Sequence, residues 1–201
     1  MARPKTPLLS ATRIADGALE LVESTGDVQM IQLARHLGVA PSSLYTHVAG
    51  RAEVIDLARL RMLEQMEPIG PVHDWREAVA SLLRQLTALY ARHRRILPLI
   101  FATTLANDRS LAVYEPMFAA LIQDGFRPDQ LRLVVAVVEF QAFGLAQGLP
   151  APAMSEHIRE TFPAYTASVD HSRYDLATAT EFSVAMVIGG LEALRARPVG
   201  P

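Results

Sequence analysis

"LGVAPSSLYTHVAGR", residues Leu37 to Arg51, sets a glycine stop, a proline, two serines, a tyrosine and a histidine between two longer amphipathic segments. Upstream, Ser10 can cap a first helix that carries Ile14, Ala18, Leu21 and Val22 on one face and ends at Gly26. A second helix, about Gln29 to Leu37, turns Met30, Leu33, Ala34 and Leu37 inward and is stopped by Gly38. Pro41 suits the first turn of a third, very short helix. A fourth starts near Arg51 and runs through Val54, Ile55, Ala58 and Met62 until Pro68 breaks it.

Helix, glycine turn, short helix is the helix-turn-helix arrangement, in which the later helix enters the major groove and the earlier one braces it. On the third helix Leu44 and Val48 are four apart and are expected to face the core, which leaves Ser42, Ser43 and Thr46 on the opposite side. Short hydroxyl side chains suit a helix pressed into a groove, since they reach base edges or phosphates without bulk. Tyr45 and His47 flank that face within reach of phosphate oxygens. Arg51 opens the fourth helix, where its charge and the free backbone N–H groups favour an anion. Spacing alone describes a capped turn between two core helices more readily than a DNA reader.

Outside this segment the 201 residues have room for one or two domains with a proper core. Cysteine is absent, which excludes disulfides, thiolate metal sites and a cysteine nucleophile, and fits a reducing cytosol. The start, "MARPKTPLLSATR", lacks the apolar run of a signal peptide, and no uninterrupted apolar stretch approaches the roughly 18 residues of a membrane helix. A soluble intracellular protein with no membrane partner is expected. The net charge of −2 argues against a general polyanion binder. Residues 1 to 51 hold Arg3, Lys5, Arg13, Arg35 and Arg51 against Asp16, Glu20, Glu23 and Asp27, so DNA binding must come from placement rather than bulk charge.

"PIGPVHD" is the clearest boundary, dividing the chain into 1–67 and 68–201. Beyond it helical period resumes. "DWREAVASLLRQLTALYARH" reads as one helix, "PLIFATTL" as another, and "RSLAVYEPMFAALIQDG" as a third interrupted by Pro116. "PDQLRLVVAVVEFQAFGLAQGL" is apolar over most of its circumference and must be covered on several sides. Residues 149 to 173, with three prolines, read as a long connection with a turn or two of helix around Glu156 to Thr161. The last helix, "YDLATATEFSVAMVIGGLEALRAR", mixes small residues with Phe182 and Met186. The six histidines have no metal-binding spacing, and no metal or cofactor is expected. His157 and Glu160 share a helical face and read as solvated surface. "ARHRR", 91 to 95, is expected to complement carbonyl groups at a helix end.

"LARHLGVAPSSLYTHVAGRAEVIDLA" resembles the signature of the tetracycline-repressor (TetR) family of bacterial transcriptional regulators: Leu-Ala, two residues, Leu-Gly-Val, then Leu-Tyr-x-His-Val, then a basic residue opening the next helix. The resemblance covers residues 10 to about 65 and extends more loosely into the ligand-binding half. It implies an all-α protein: an N-terminal three-helix head for DNA and a C-terminal helical bundle for ligand binding and dimerisation. Ser42, Ser43 and Thr46 would then face bases, Tyr45 the backbone or a thymine methyl, and His47 and Arg51 phosphates. Gln29 and Gln32, in "QMIQ", replace the Thr, Ser and Arg common in the family's second helix, so arginine readout of guanine from that helix is not expected. Ala40 stands where a serine or threonine cap is common, at a cost of about 1 kcal/mol.

The resemblance further implies a homodimer through helices near 128–148 and 174–196, and a double-stranded DNA operator of pseudo-palindromic form. The apolar breadth of Leu131, Val134, Val135, Val138, Phe140 and Phe143 independently favours a partner, although the core of a large single bundle would look alike. A cavity for a small-molecule effector is expected among Leu82, Leu86, Leu89, Tyr90, Phe101, Thr103, Thr104, Tyr114, Met117, Phe118 and Phe143, with Trp75 nearby. Leu82 and Ile100 occupy the positions of an amide and a metal-binding histidine in the tetracycline repressor. A more hydrophobic ligand than a magnesium–tetracycline complex is therefore expected. The function this supports is a ligand-responsive regulator, most simply a repressor; the alternative is a helical small-molecule-binding protein or enzyme with a degenerate head. "LVESTGD" is no phosphate loop, and no nucleophile or metal motif favours the enzyme.

Overall fold

The computed structural model describes residues 9–68, 74–103, 108–149, 153–171 and 175–195, and among them every regular element is helical. Helix α1, Ala11–Thr25, begins where Ser10 accepts a 3.2 Å hydrogen bond from the Arg13 amide, and ends at Gly26, whose φ of 81° is the left-handed conformation open to glycine. α2, Met30–Leu37, ends the same way at Gly38, φ 67°. Arg13 then donates from Nη2 to the Leu37 carbonyl at 2.7 Å and ties α1 to the end of α2. α3 is only Pro41–Leu44, and α4 spans Arg51–Leu63. Leu44 and Val48 are buried with Ile14, Leu33, Val54 and Ile55, as their spacing predicts.

Beyond Pro68 follow α5 (Trp75–Arg92), α6 (Leu97–Phe101), α7 (Asp108–Leu111), α8 (Glu115–Gln123), α9 (Pro128–Gln147), α10 (Glu156–Thr161), α11 (Pro163–His171) and α12 (Leu176–Arg195). α5 is the axis of this half, packed on α9, α12 and α8. Asp74 caps it, accepting from the Arg76 amide at 2.9 Å, and Trp75 sets its ring edge-on to Phe126 with centroids 5.1 Å apart. Leu82, Leu83, Leu86 and Leu89 are all fully buried. Each such side chain contributes about 1.5–3 kcal/mol, whereas exposed ion pairs such as Arg84–Glu181 and Arg76–Glu192 are screened by solvent and contribute little. The core, not the surface pairing, holds α12 on α5.

Three expectations are corrected. Pro116 does not interrupt a helix; it lies in the first turn of α8, where its missing N–H costs nothing, and the chain breaks before it, after Leu111. The stretch after Thr161 is not a connection, because Pro163 opens the nine-residue α11. In "ARHRR" Arg92 does reach a carbonyl of its own helix, Ala88, at 3.3 Å, but Arg95 donates to the Glu23 carbonyl on α1 at 2.6 Å, and His93 meets Gln65 at 3.2 Å. The cluster joins the two halves of the chain. α12 is long and apolar enough to cross a membrane by length and composition. One of its faces, through Val184, Val187 and Leu191, is buried on the bundle.

Candidate functional site

The turn between α3 and α4 presents its polar side chains outward because Leu44 and Val48 point in. Tyr45 is 56% exposed, a large ring in solvent, and Ser42, Thr46 and His47 are exposed beside it while Ser43 is half-buried. α3 stops at Leu44, so Tyr45, Thr46 and His47 stand on turns, and the expected continuous helical face is shorter than its spacing suggests. Thr46 Oγ1 donates to the Ser43 carbonyl at 2.7 Å, leaving its oxygen lone pairs outward. Ala40 has cap geometry but no side chain to fill it. Gln29 is exposed at the start of α2, and so is Ile31, 67% accessible, which sequence reasoning passed over.

Arg51 is more constrained than a phosphate clasp read from sequence. Its Nε donates to the Val28 carbonyl at 2.8 Å and its Nη2 to Asp27 Oδ1 at 2.6 Å. The Arg51 hydrogen bond, with help from the Val28 amide, holds the Asp27 carboxyl below the usual range. Arg51 thus fixes the start of α4 against the turn before α2. Glu53 accepts from the Ala49 amide at 2.6 Å and steadies the same corner.

A cavity of about 530 Å³ opens between the two halves. α4 supplies Arg59, Met62 and Leu63; α9 supplies Arg132, Val135, Ala136 and Glu139; Tyr90, Ile100, Phe101, Thr103, Leu111, Tyr114 and Phe118 close the rest. Glu139 accepts from the Tyr90 hydroxyl at 2.5 Å on one oxygen and from the Tyr114 hydroxyl on the other. Burial pushes the Glu139 carboxyl above its usual range, against the opposing pull of the two hydroxyls and the Arg59 charge. Both tyrosines are raised, first by burial and then by the Glu139 charge. Arg59, 6% exposed, donates from Nη2 to the Ile100 carbonyl at 2.6 Å and to Thr103 Oγ1 at 2.7 Å, and from Nη1 to Asp56 at 3.2 Å.

Of the side chains expected around a ligand, Tyr90, Phe101, Thr103, Tyr114 and Phe118 line this cavity. Leu82, Leu86, Leu89 and Met117 do not: each is fully buried in the hydrophobic core. Phe143 stands one ring back, 4.8 Å from Phe101 by centroids. Thr104 lies outside the described residues. Missed entirely were Arg59, Arg132 and Glu139. The available signal was a lone acid inside the apolar run "VVAVVEFQAFG".

No family model matches the chain. It is 24% identical over 150 residues to the HTH-type transcriptional repressor DrrR1 of Streptomyces coeruleorubidus, covering 73% of this chain and 56% of that protein. It is 30% identical over 138 residues to an HTH-type transcriptional regulator of Saccharopolyspora erythraea, covering 67% and 58%. The chain therefore spans little more than half the length of these curated relatives, both of them transcriptional regulators, a class that is not catalytic. Among solved structures it superposes on the TetR-family protein ActR of Streptomyces coelicolor, in complex with actinorhodin, with a TM-score of 0.73 and 20% identity, covering 94% of this chain and 100% of ActR. That likeness establishes the fold.

Proposed function

We propose that this chain, which has the fold of the TetR-family transcriptional regulators, is a ligand-responsive regulator, a repressor released from its operator by a small hydrophobic effector. The observation that carries the reading is the double use of α4. Its first residue, Arg51, ties the start of α4, just after the reading turn, to the turn before α2, and two turns later, about 12 Å along the axis, Arg59, Met62 and Leu63 form a wall of the cavity. A molecule that binds one position of α4 better than another shifts the population of head orientations by that difference in affinity.

In this reading residues 1–67 form the head, with Gln29, Ser42, Ser43, Tyr45, Thr46, His47 and Arg51 at the DNA, and 68–201 form the effector and dimerisation half. Two copies join through α9 and α12, whose outward faces carry Leu133, Phe140, Phe182 and Met186, each more than 60% exposed. The two α3 turns then reach half-sites about 34 Å apart. Bacterial cytoplasm is the matching compartment.

The test is fluorescence anisotropy of the purified chain against selected and random duplexes with salt varied. Sequence-selective binding is expected, weakened about tenfold or more in Tyr45→Ala with the helical circular dichroism retained. Equal, weak binding to every duplex would sink the regulator reading.

A further inference from the structure

The α9 wall of the cavity carries information about what fits there. Arg132, Val135, Ala136 and Glu139 stand at i, i+3, i+4 and i+7, one helical stripe that is basic at one end, apolar in the middle and acidic at the other. Seven residues rise about 10 Å. The two ends differ in what they still need. Glu139 already accepts one tyrosine hydroxyl on each oxygen, and a carboxylate has room for further donors. Arg132 is exposed and makes no ion pair or hydrogen bond among the described residues.

The remaining charges around the stripe narrow the choice. The terminal nitrogens of Arg59 are committed to Asp56, to the Ile100 carbonyl and to Thr103, so this guanidinium is not open to an anion. It still faces Glu139 electrostatically. A second cation at the Glu139 end would be repelled by it, whereas a neutral hydroxyl donor would not. Opposite the stripe, Phe101, Tyr90, Tyr114 and Phe118 offer ring faces and edges, which favour a flat aromatic guest.

We propose that the cavity takes an elongated aromatic molecule with a carboxylate or similar anion at the Arg132 end and a hydroxyl donor at the Glu139 end, about 10 Å apart. This rests on the reading of the cavity as the effector site. The apolar middle lies along Val135 and Ala136, whose small side chains leave the stripe flat.

The experiment is calorimetric titration of the full chain with three probes: a biphenyl bearing a para carboxylate on one ring and a para hydroxyl on the other, and the two analogues lacking one group each. Removing either group is expected to weaken binding about tenfold. Arg132→Gln should erase the difference made by the carboxylate and leave that made by the hydroxyl. Glu139→Gln should do the reverse, with melting temperature reporting that the variant folds. If Glu139→Gln does not fold, the probe series on the unchanged chain still tests that end. Equal binding of all three, no binding of any, or tighter binding when an ammonium replaces the hydroxyl overturns the proposal. Operator anisotropy without probes reads the regulator function separately, so failure here and failure there are distinguishable.

Discussion

Glu139 is the residue whose surroundings are most at odds with its chemistry. An acid placed among apolar helices keeps its proton longer in the folded chain than in the unfolded one, and burial raises it above the ordinary glutamate value of 4.5. The sign of the consequence follows from proton counting. Between the ordinary and the raised value the folded state holds more protons than the unfolded state, so stability falls as pH rises across that interval. Glu139→Gln cannot ionise there. Its melting temperature relative to the parent is expected to climb as pH increases from about 4.5 upward, and a difference independent of pH would contradict the burial argument. Tyr90 and Tyr114 were legible as cavity residues in the sequence and Glu139 was not. Aromatics announce a pocket by type, whereas a single acid on a helix is ordinarily solvated. The leucines of α5 lie in the helix core and not on this cavity, which the sequence could not show for a related reason: periodicity tells which face is covered but not whether the cover is another helix or an open space.

Among the elements, those with local punctuation were legible. Ser10, Gly26 and Gly38 mark ends that the backbone geometry bears out, because caps and left-handed glycines act within a few residues. Prolines were read less well, since Pro116 and Pro163 open helices in this chain, and the same residue signals a start or a break depending on tertiary packing. α3 is four residues long with an empty cap. Ala40 has φ −70° and ψ 143°, and its carbonyl already accepts from the Ser43 amide at 2.9 Å. Ala40→Ser supplies the missing acceptor to the first turn. It is expected to raise stability in urea unfolding by about 1 kcal/mol; no gain would mean that the turn is held by Leu44 and Val48 alone.

At the scale of the molecule, the apolar breadth of α9 and α12 was visible in the sequence, and the structure leaves part of it uncovered. Leu133 is 68% and Phe182 70% exposed, and both lie on the faces assigned to a second copy. Leu133→Glu together with Phe182→Glu is expected to give a monomer by analytical ultracentrifugation where the parent chain gives a dimer, with helical content unchanged. A parent chain that is itself monomeric at micromolar concentration would refute the assignment. The sequence reading divides the chain at residue 67 on its prolines and glycine. What punctuation could not reveal is that the cavity belongs to neither side of that line. Arg59, Met62 and Leu63 come from α4 while Glu139 and both tyrosines come from beyond Pro68, so under the proposed regulator function guest and operator would compete for the posture of one shared wall. Reciprocity would then apply: whatever factor the guest takes from the affinity for DNA, DNA takes from the affinity for the guest. On the proposed function a promoter-bound copy would therefore be a poorer sensor than a free one, and the free pool, not the bound copies, would set the concentration at which the response begins.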